Sequence, residues 1–568
     1  MLSVGNSIFF QLVNIVALIT CDNLIVKTTT GQVKGIVLTT FLGNREYIAY
    51  KGIPYAEPPI GRLRFKAPLP IASWPKVFSA AKYGSSCIVL ADSNLFPLNS
   101  TQSENCLYLN IFTPVMELKK YNSSKAVMFF IHGGGFAEGD GTDGFYGPDF
   151  LIDQDMVVVT INYRLGPWGF SNFDIKGYTG NMGFKDQQLA LEWVAKNIKY
   201  FGGNPNLITV IGQSAGGAST HLHMLSERSR KCIRRAICMS GVAFSVFADY
   251  RPNNHIEFYK KVFELDAEST GNDVLNFMLT APIETIVRKM PAFNIHNYIV
   301  NMNFAAVIED ETKAEQPFLT QRPRDIYKTT KVKINAMFGF TSSEAIMMVN
   351  PILVDGYYYW IEPMKNYSMI GLPFSGLTLS QNSFEYRQAA KKIYNYYFGT
   401  RKLKPTLENL NIYVQLCSDV NYVYSINEAL KYHSKGAKTF CYENQLDLNL
   451  NAYKIRHHMR TLHGTSHSED LFYLFSSKEY AQLYTKVLAS PNRTKNRKTL
   501  KALHFLPKMF ADFAKTGKAR NFTTFGNWTN CIRITNDGLK PFLRQRTDTM
   551  KFWDDIYNSV KPWIVEPF

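Results

Sequence analysis

The hexapeptide GQSAGG at 212–217 constrains this chain more than any other feature, because it lies between an apolar run at 207–211 and a helix-like run at 218–222. In such a strand–turn–helix setting a serine is presented on a sharp turn, strained in its backbone, with its hydroxyl held out over the edge of a sheet. The residues two before and two after that serine must be nearly free of side chain so that the segments can pass, and Gly212 and Gly216 meet the demand. The pattern G-x-S-x-G also arises by chance in a chain of 568 residues. Reading Ser214 as a nucleophile therefore depends on what accompanies it.

Three further parts do. The run 127–131 reads as a buried strand and leads directly into His132, Gly133, Gly134, Gly135 and Phe136. Consecutive glycines after a strand let the main chain approach a bound carbonyl with its N–H groups free, which predicts oxyanion donors at Gly134, Gly135 and Ala215. Losing one such donor typically costs about 3–4 kcal/mol of transition-state stabilisation. A base must come from the 11 histidines. His221 and His223 fall on the helix behind the serine, and His457 and His458 in a basic stretch. None has metal-ligand spacing, so packed or solvated roles are expected for them. His467 stands instead in the small-residue loop 464–470, ahead of the apolar run 471–475, where a base at the rim of a sheet can reach a serine hydroxyl. The acid is expected between Ser214 and His467. Glu344, following the strand-like run 332–338, is the candidate, with a plain surface charge as the alternative reading.

These motifs stand in an ordered series. YKGIPYAEPP at 50–59, LRF at 63–65, ENCLYLN at 104–110, NYRLG at 162–166, NMG at 181–183 with Asp186-Gln187, and FGGNP at 201–205 frame the glycine loop and the serine turn. From about residue 26 to 553 the chain resembles type-B carboxylesterases of the cholinesterase/carboxylesterase family. The resemblance implies an α/β-hydrolase fold, with a mostly parallel central sheet flanked by helices and a helical cap region over a gorge. It also implies a triad of Ser214, Glu344 and His467, oxyanion donors at Gly134, Gly135 and Ala215, and a first disulfide between Cys87 and Cys106. Two departures stand out. Asn105 replaces the family's Asp, which leaves a structural ion pair open at this place, and Ala345 replaces the Gly after the acid.

The chemistry implied is acyl transfer through an acyl-enzyme: His467 takes the proton of Ser214, Glu344 holds the imidazole in one tautomer, and no metal or organic cofactor is needed. Choline esters are a poor expectation. No Trp lies between residues 88 and 105 to hold a quaternary ammonium, and Gln213 stands where the family usually has an acid. Apolar carboxylic esters are the expected substrates. The set Arg64-Phe65, Asp186-Gln187, GQSAG, Glu344 and Gly464…His467…Asp470 resembles that of insect juvenile hormone esterases, which gives a narrower alternative. Non-catalytic adhesion modules on the same scaffold are the reading from another class. Such modules lose the serine, the histidine or the glycines, and this chain keeps all three.

The remaining expectations concern processing. An apolar stretch at 8–19 followed by Thr20, Cys21 and Asp22 reads as a signal peptide over 1–21, although no Lys or Arg precedes it; a single domain over 22–568 follows. Export makes a disulfide reasonable and makes Asn99, Asn122, Asn366, Asn492, Asn521 and Asn527 acceptor sites for glycans. Cys232 and Cys238 read as buried thiols, while Cys417, Cys441 and Cys531 cannot be paired from spacing. The net charge of +17 comes from Lys and Arg spread along the chain, and the densest cluster, 493–498, lacks any nucleic-acid reader motif. A solvated basic surface is expected, with a small-molecule ester as partner, no nucleic acid, no stable membrane anchor, and a monomer or weak homodimer.

Overall fold

The computed structural model describes residues 24–43, 45–90, 101–118, 124–248, 255–290, 304–349, 372, 374, 377–401, 404, 406–518, 531–542 and 547–564. The signal segment, Cys21, and the sequons at Asn99, Asn122, Asn366, Asn521 and Asn527 lie outside the described residues. Asn492 is described and exposed in a turn.

An 11-stranded sheet organises the molecule. Its strands are β1 (Ile36–Thr39), β2 (Glu46–Pro54), β3 (Tyr108–Thr113), β4 (Lys125–Ile131), β5 (Val157–Ile161), β6 (Gly203–Gln213), β7 (Arg235–Met239), β8 (Asn335–Thr341), β9 (Thr439–Asn444), β10 (Cys531–Thr535) and β11 (Gly538–Phe542). In space they run β11-β10-β9-β8-β7-β6-β4-β5-β3-β2-β1. Every pair from β5 to β10 is parallel, and both ends turn antiparallel. The expected mostly parallel sheet with flanking helices is what the chain builds.

Central parallel strands are covered on both faces and so read as unbroken apolar runs. β4 shows the consequence: Val127, Phe129 and Ile131 pack into one core, while Met128 and Phe130 pack into the core on the opposite face. Each side chain of this kind, fully buried, contributes about 1.5–3 kcal/mol.

The helices that matter for the site are α1 (Met182–Asn197), α2 (Ala215–Leu225), α3 (Phe384–Phe398), α4 (Leu407–Ser418), α5 (Tyr424–His433), α6 (Thr494–Thr516) and α7 (Thr547–Val560). α3 starts from a Ser383 cap whose side chain accepts the Tyr386 N–H, and α6 is 23 residues long with Pro507 inside it. The strand expected at 332–338 is displaced to Asn335–Thr341, because hydrogen-bonded partners in β7 and β9 begin at residues 335 and 336. α4 and α5 are joined by a π-helical turn, Asp419–Val423.

Covalent and ionic ties hold the sheet's two ends. Cys87 and Cys106 are bonded, as the family resemblance implies. Cys441 and Cys531, which spacing could not pair, also form a disulfide, since they are register partners on the adjacent parallel strands β9 and β10. Cys238 and Cys417 are buried thiols and Cys232 is half-buried. The ion pair that the Asn105 departure left open forms through Glu104: Arg64 Nε and Nη2 meet its two carboxylate oxygens at 2.5 and 2.8 Å. Arg64 Nη1 also donates to the carbonyls of Met278 and Ala281 at 3.0 and 2.8 Å, tying the N-terminal third to the end of a later helix. Among the described residues no helix is long and apolar enough to cross a membrane.

The two disulfides close loops of different length, 90 and 19 residues. On the chain-entropy account, removing Cys441–Cys531 should lower the unfolding free energy by about 4–5 kcal/mol, against about 3 kcal/mol for Cys87–Cys106. Paired Cys→Ala variants compared by denaturant titration measure the difference.

Candidate active site

Ser214 occupies the junction of β6 and α2 with φ 59° and ψ −123°, a region that costs a residue with a side chain about 1–3 kcal/mol. The turn is held by the Ser214 N–H donating to the Met239 carbonyl at 2.8 Å. The expected need for glycine on either side is literal. A Cβ on Gly212 would lie 2.1 Å from the Gly216 carbonyl oxygen, and one on Gly216 would lie 2.0 Å from that of Ile131 at the end of β4.

The loop after β4 runs beside this turn; a Cβ on Gly133 would come 3.0 Å from Ser214 Cβ. Gly134 and Gly135 adopt φ of 96° and 59°, in the left-handed region that a side chain disfavours. The Ala137 and Glu138 N–H groups close the turn on the Gly134 carbonyl at 2.9 and 3.0 Å. Among the described residues nothing accepts from the N–H groups of Gly134, Gly135 or Ala215, although all three residues are buried. Buried main-chain donors without acceptors are rare in folded proteins, and their grouping suits a developing oxyanion. His132 braces the loop: its ring stacks on Tyr163 with centroids 4.4 Å apart, and the Tyr163 hydroxyl donates to the His132 carbonyl at 3.0 Å. Burial pushes the His132 imidazole down to about 4, so this ring stays neutral beside the glycines.

Glu344 follows β8 and is fully buried, which rules out the surface-charge alternative. One carboxylate oxygen accepts the Thr341 N–H at 2.7 Å and the other contacts His467 Nδ1 at 2.6 Å. The His467 backbone N–H donates to the Glu344 carbonyl at 3.2 Å, so main chain and side chain fix the two residues together. The loop that carries the histidine is pinned by Glu469. Its carboxylate accepts from the N–H groups of Ser466 and Lys454 at 2.9 and 3.0 Å and from the Asn451 amide at 2.6 Å. Tyr422, in the π-helical turn, lays its ring 4.7 Å from the imidazole, a place where such turns recur in functional sites.

The remaining imidazole nitrogen, Nε2, meets the side-chain nitrogen of Gln213 at 2.9 Å. The Ser214 hydroxyl has no hydrogen-bond partner among the described residues. The structure therefore joins Glu344 to His467, and His467 to the residue before Ser214.

Of the histidines the sequence leaves as bystanders, His221 and His223 are packed, whereas His458 is exposed. His223 contacts Ser229 and Gln187, and His221 contacts Tyr327 and the Ala243 N–H, so neither is solvated. Arg164, just after β5, and Asp186 on α1 form a buried two-pronged ion pair at 2.8 and 2.7 Å. Gln213, Tyr422 and Glu469 were missed as site residues. The first had a signal in its adjacency to the serine, whereas Tyr422 carries none in sequence. Among the described residues no cluster of three His, Cys, Asp or Glu side chains has metal-holding geometry.

Comparison with known proteins bears on this geometry. The family model "Carboxylesterase family" matches residues 22–553. The chain is 30% identical to Esterase B1 of Culex pipiens over 565 residues, covering 94% of this chain and 98% of that protein. It is 31% identical to a juvenile hormone esterase of Tribolium castaneum over 479 residues, covering 80% and 78% of the two chains. The crystal structure of juvenile hormone esterase from Manduca sexta, with OTFP covalently attached, superposes with a TM-score of 0.80 at 25% identity, covering 94% of this chain and 99% of that one. With a sheet of this order, these donors beside a strained serine, and a family match over nearly its whole length, the chain belongs to the carboxylesterase family and is a carboxylic ester hydrolase.

Proposed function

We propose that the protein is an exported serine esterase in which Ser214 is the nucleophile, His467 the general base, Glu344 the acid that orients it, and the N–H groups of Gly134, Gly135 and Ala215 the oxyanion donors. The observation that carries this reading is the 2.6 Å contact between His467 Nδ1 and Glu344, beside the turn that bears the serine. Nδ1 carries the proton in that contact, so Nε2 presents a lone pair, as a general base requires. Ser214 attacks the ester carbonyl carbon as its proton passes to Nε2. The oxyanion is received by the three N–H groups, the proton goes on to the departing alcohol, and water repeats the sequence on the acyl-serine. The leader-like segment at 8–19 and the two disulfides support export.

Apolar carboxylic esters are the substrates this reading favours. Likeness to juvenile hormone esterases, in motifs and in structure, supports a methyl ester on a long terpenoid acid as the narrower choice. A series of kcat/KM values over acyl chain length, with that methyl ester included, decides between them: a sub-micromolar KM confined to the terpenoid selects the narrower one.

Close enough to Glu344 to feel its charge is a second carboxyl, Asp470, 1% exposed. Burial first, and the Glu344 charge second, push it up from 3.8 to about 7. At neutral pH it is therefore only partly ionised, and it carries less negative charge beside the acid that orients the base than an ordinary carboxylate would.

Two outcomes are expected. Ser214→Ala and His467→Ala should each lower kcat for p-nitrophenyl butyrate by about 10⁶-fold, and Glu344→Gln by about 10⁴-fold. An organophosphate should label wild-type Ser214, as read by peptide mass spectrometry; folded wild-type protein with neither turnover nor label overturns the enzyme reading. The unfolded chain releases the Asp470 proton near 3.8 and the folded chain near 7. The stability that group contributes is therefore complete below about pH 4 and lost as the pH rises through about 7. Glu469, pushed up to about 7 by burial, adds to the same slope. The melting midpoint of wild type minus that of Asp470→Asn should therefore fall between pH 5 and pH 8, which isolates this carboxyl from the buried histidines whose depressed pKa values act in the opposite sense.

A further inference from the structure

We propose that Gln213 gates the base: in the free protein its side-chain amide occupies Nε2 of His467, and it must leave that nitrogen before Ser214 can deliver its proton there. This rests on the assignment of Ser214 and His467 above. Since Glu344 holds the proton on Nδ1, the neutral imidazole has one acceptor lone pair, on Nε2. The group that meets it, at 2.9 Å, is the Gln213 amide, which donates. Gln213 and His467 are 0% and 2% exposed, so water does not compete readily for the contact. The Ser214 hydroxyl, with no partner among the described residues, is correspondingly unengaged.

The amide is held on one side only. Its oxygen, Oε1, is buried and has no hydrogen-bond partner among the described residues, which makes the carboxamide easier to displace than one satisfied at both ends. It lodges against the glycine loop: a Cβ on Gly133 would come 2.9 Å from Oε1 and 2.7 Å from the Gln213 carbonyl oxygen. An ester entering the space between the serine and the glycine loop therefore meets the carboxamide in its resting place. Moving it breaks only the N–H contact to Nε2; no proton leaves the amide. The freed lone pair then accepts the Ser214 proton as the serine oxygen bonds to the ester carbon.

The test reads the partner of Nε2 directly. In protein labelled with ¹⁵N-histidine, the His467 Nε2 resonance should be unmoved by Ser214→Ala and displaced by Gln213→Met, which keeps the side chain's length and removes its N–H. Gln213→Met should also raise the second-order rate of organophosphate attachment to Ser214 by about five-fold, the factor one ordinary hydrogen bond is worth. An Nε2 resonance moved by Ser214→Ala overturns the gate without requiring any Gln213 variant to fold. So does an unmoved resonance, or an unraised rate, in a Gln213→Met protein with the wild-type melting midpoint. The resonance does not depend on turnover, so an inactive wild type would sink the esterase assignment while the Nε2 contact is still read.

Discussion

Everything at the site follows from how closely three backbone segments cross at the end of β6. The carbonyl of Ile131, ending β4, lies where a Cβ of residue 216 would be, and the carbonyl of Gly216 lies where a Cβ of residue 212 would be. That crossing forces Ser214 into positive φ where β6 gives way to α2. It also brings the glycine loop against the serine. The strain is tolerated because the end of β6, residues 208–213, is locked between β4 and β7 by parallel pairing. An elbow on an isolated strand would relax.

Around this crossing the molecule handles buried charge by pairing it. Arg64 with Glu104, Arg164 with Asp186, Lys185 with Glu309 and His467 with Glu344 each join segments distant in sequence. Pairs of this kind contribute little net stability, because desolvation offsets the attraction, yet breaking one leaves an uncompensated charge inside. They act as registration pins. Arg64 is the clearest case, since its guanidinium gathers a carboxylate and helix-end carbonyls into one arrangement.

Much of this was legible in the amino-acid sequence because the relevant signals are local. The serine turn and the glycine loop are written in consecutive residues whose backbone demands few alternatives meet. What escaped depends on neighbours brought by folding. The strand at 335–341 begins where β7 and β9 supply partners, not where apolar residues begin. Cys441 and Cys531 pair because β9 and β10 are adjacent, a fact of topology invisible in spacing. Tyr422 reaches the imidazole through a single π-helical turn that periodicity does not announce. Gln213 was read for what it lacks, a negative charge, whereas its effect lies in the donor it brings.

The Cys441–Cys531 bridge closes a segment of 90 residues, and that segment contains the loop bearing His467. The His467 imidazole, paired with Glu344, is thus carried on a covalent ring that closes between the register partners of β9 and β10. Reduction of this bridge would leave the serine turn untouched while the loop bearing His467 loses its covalent closure and keeps only its hydrogen bonds to Glu344 and Glu469. Sulfur oxidation near one edge of the sheet is accordingly coupled to the placing of an imidazole far along the chain from Ser214.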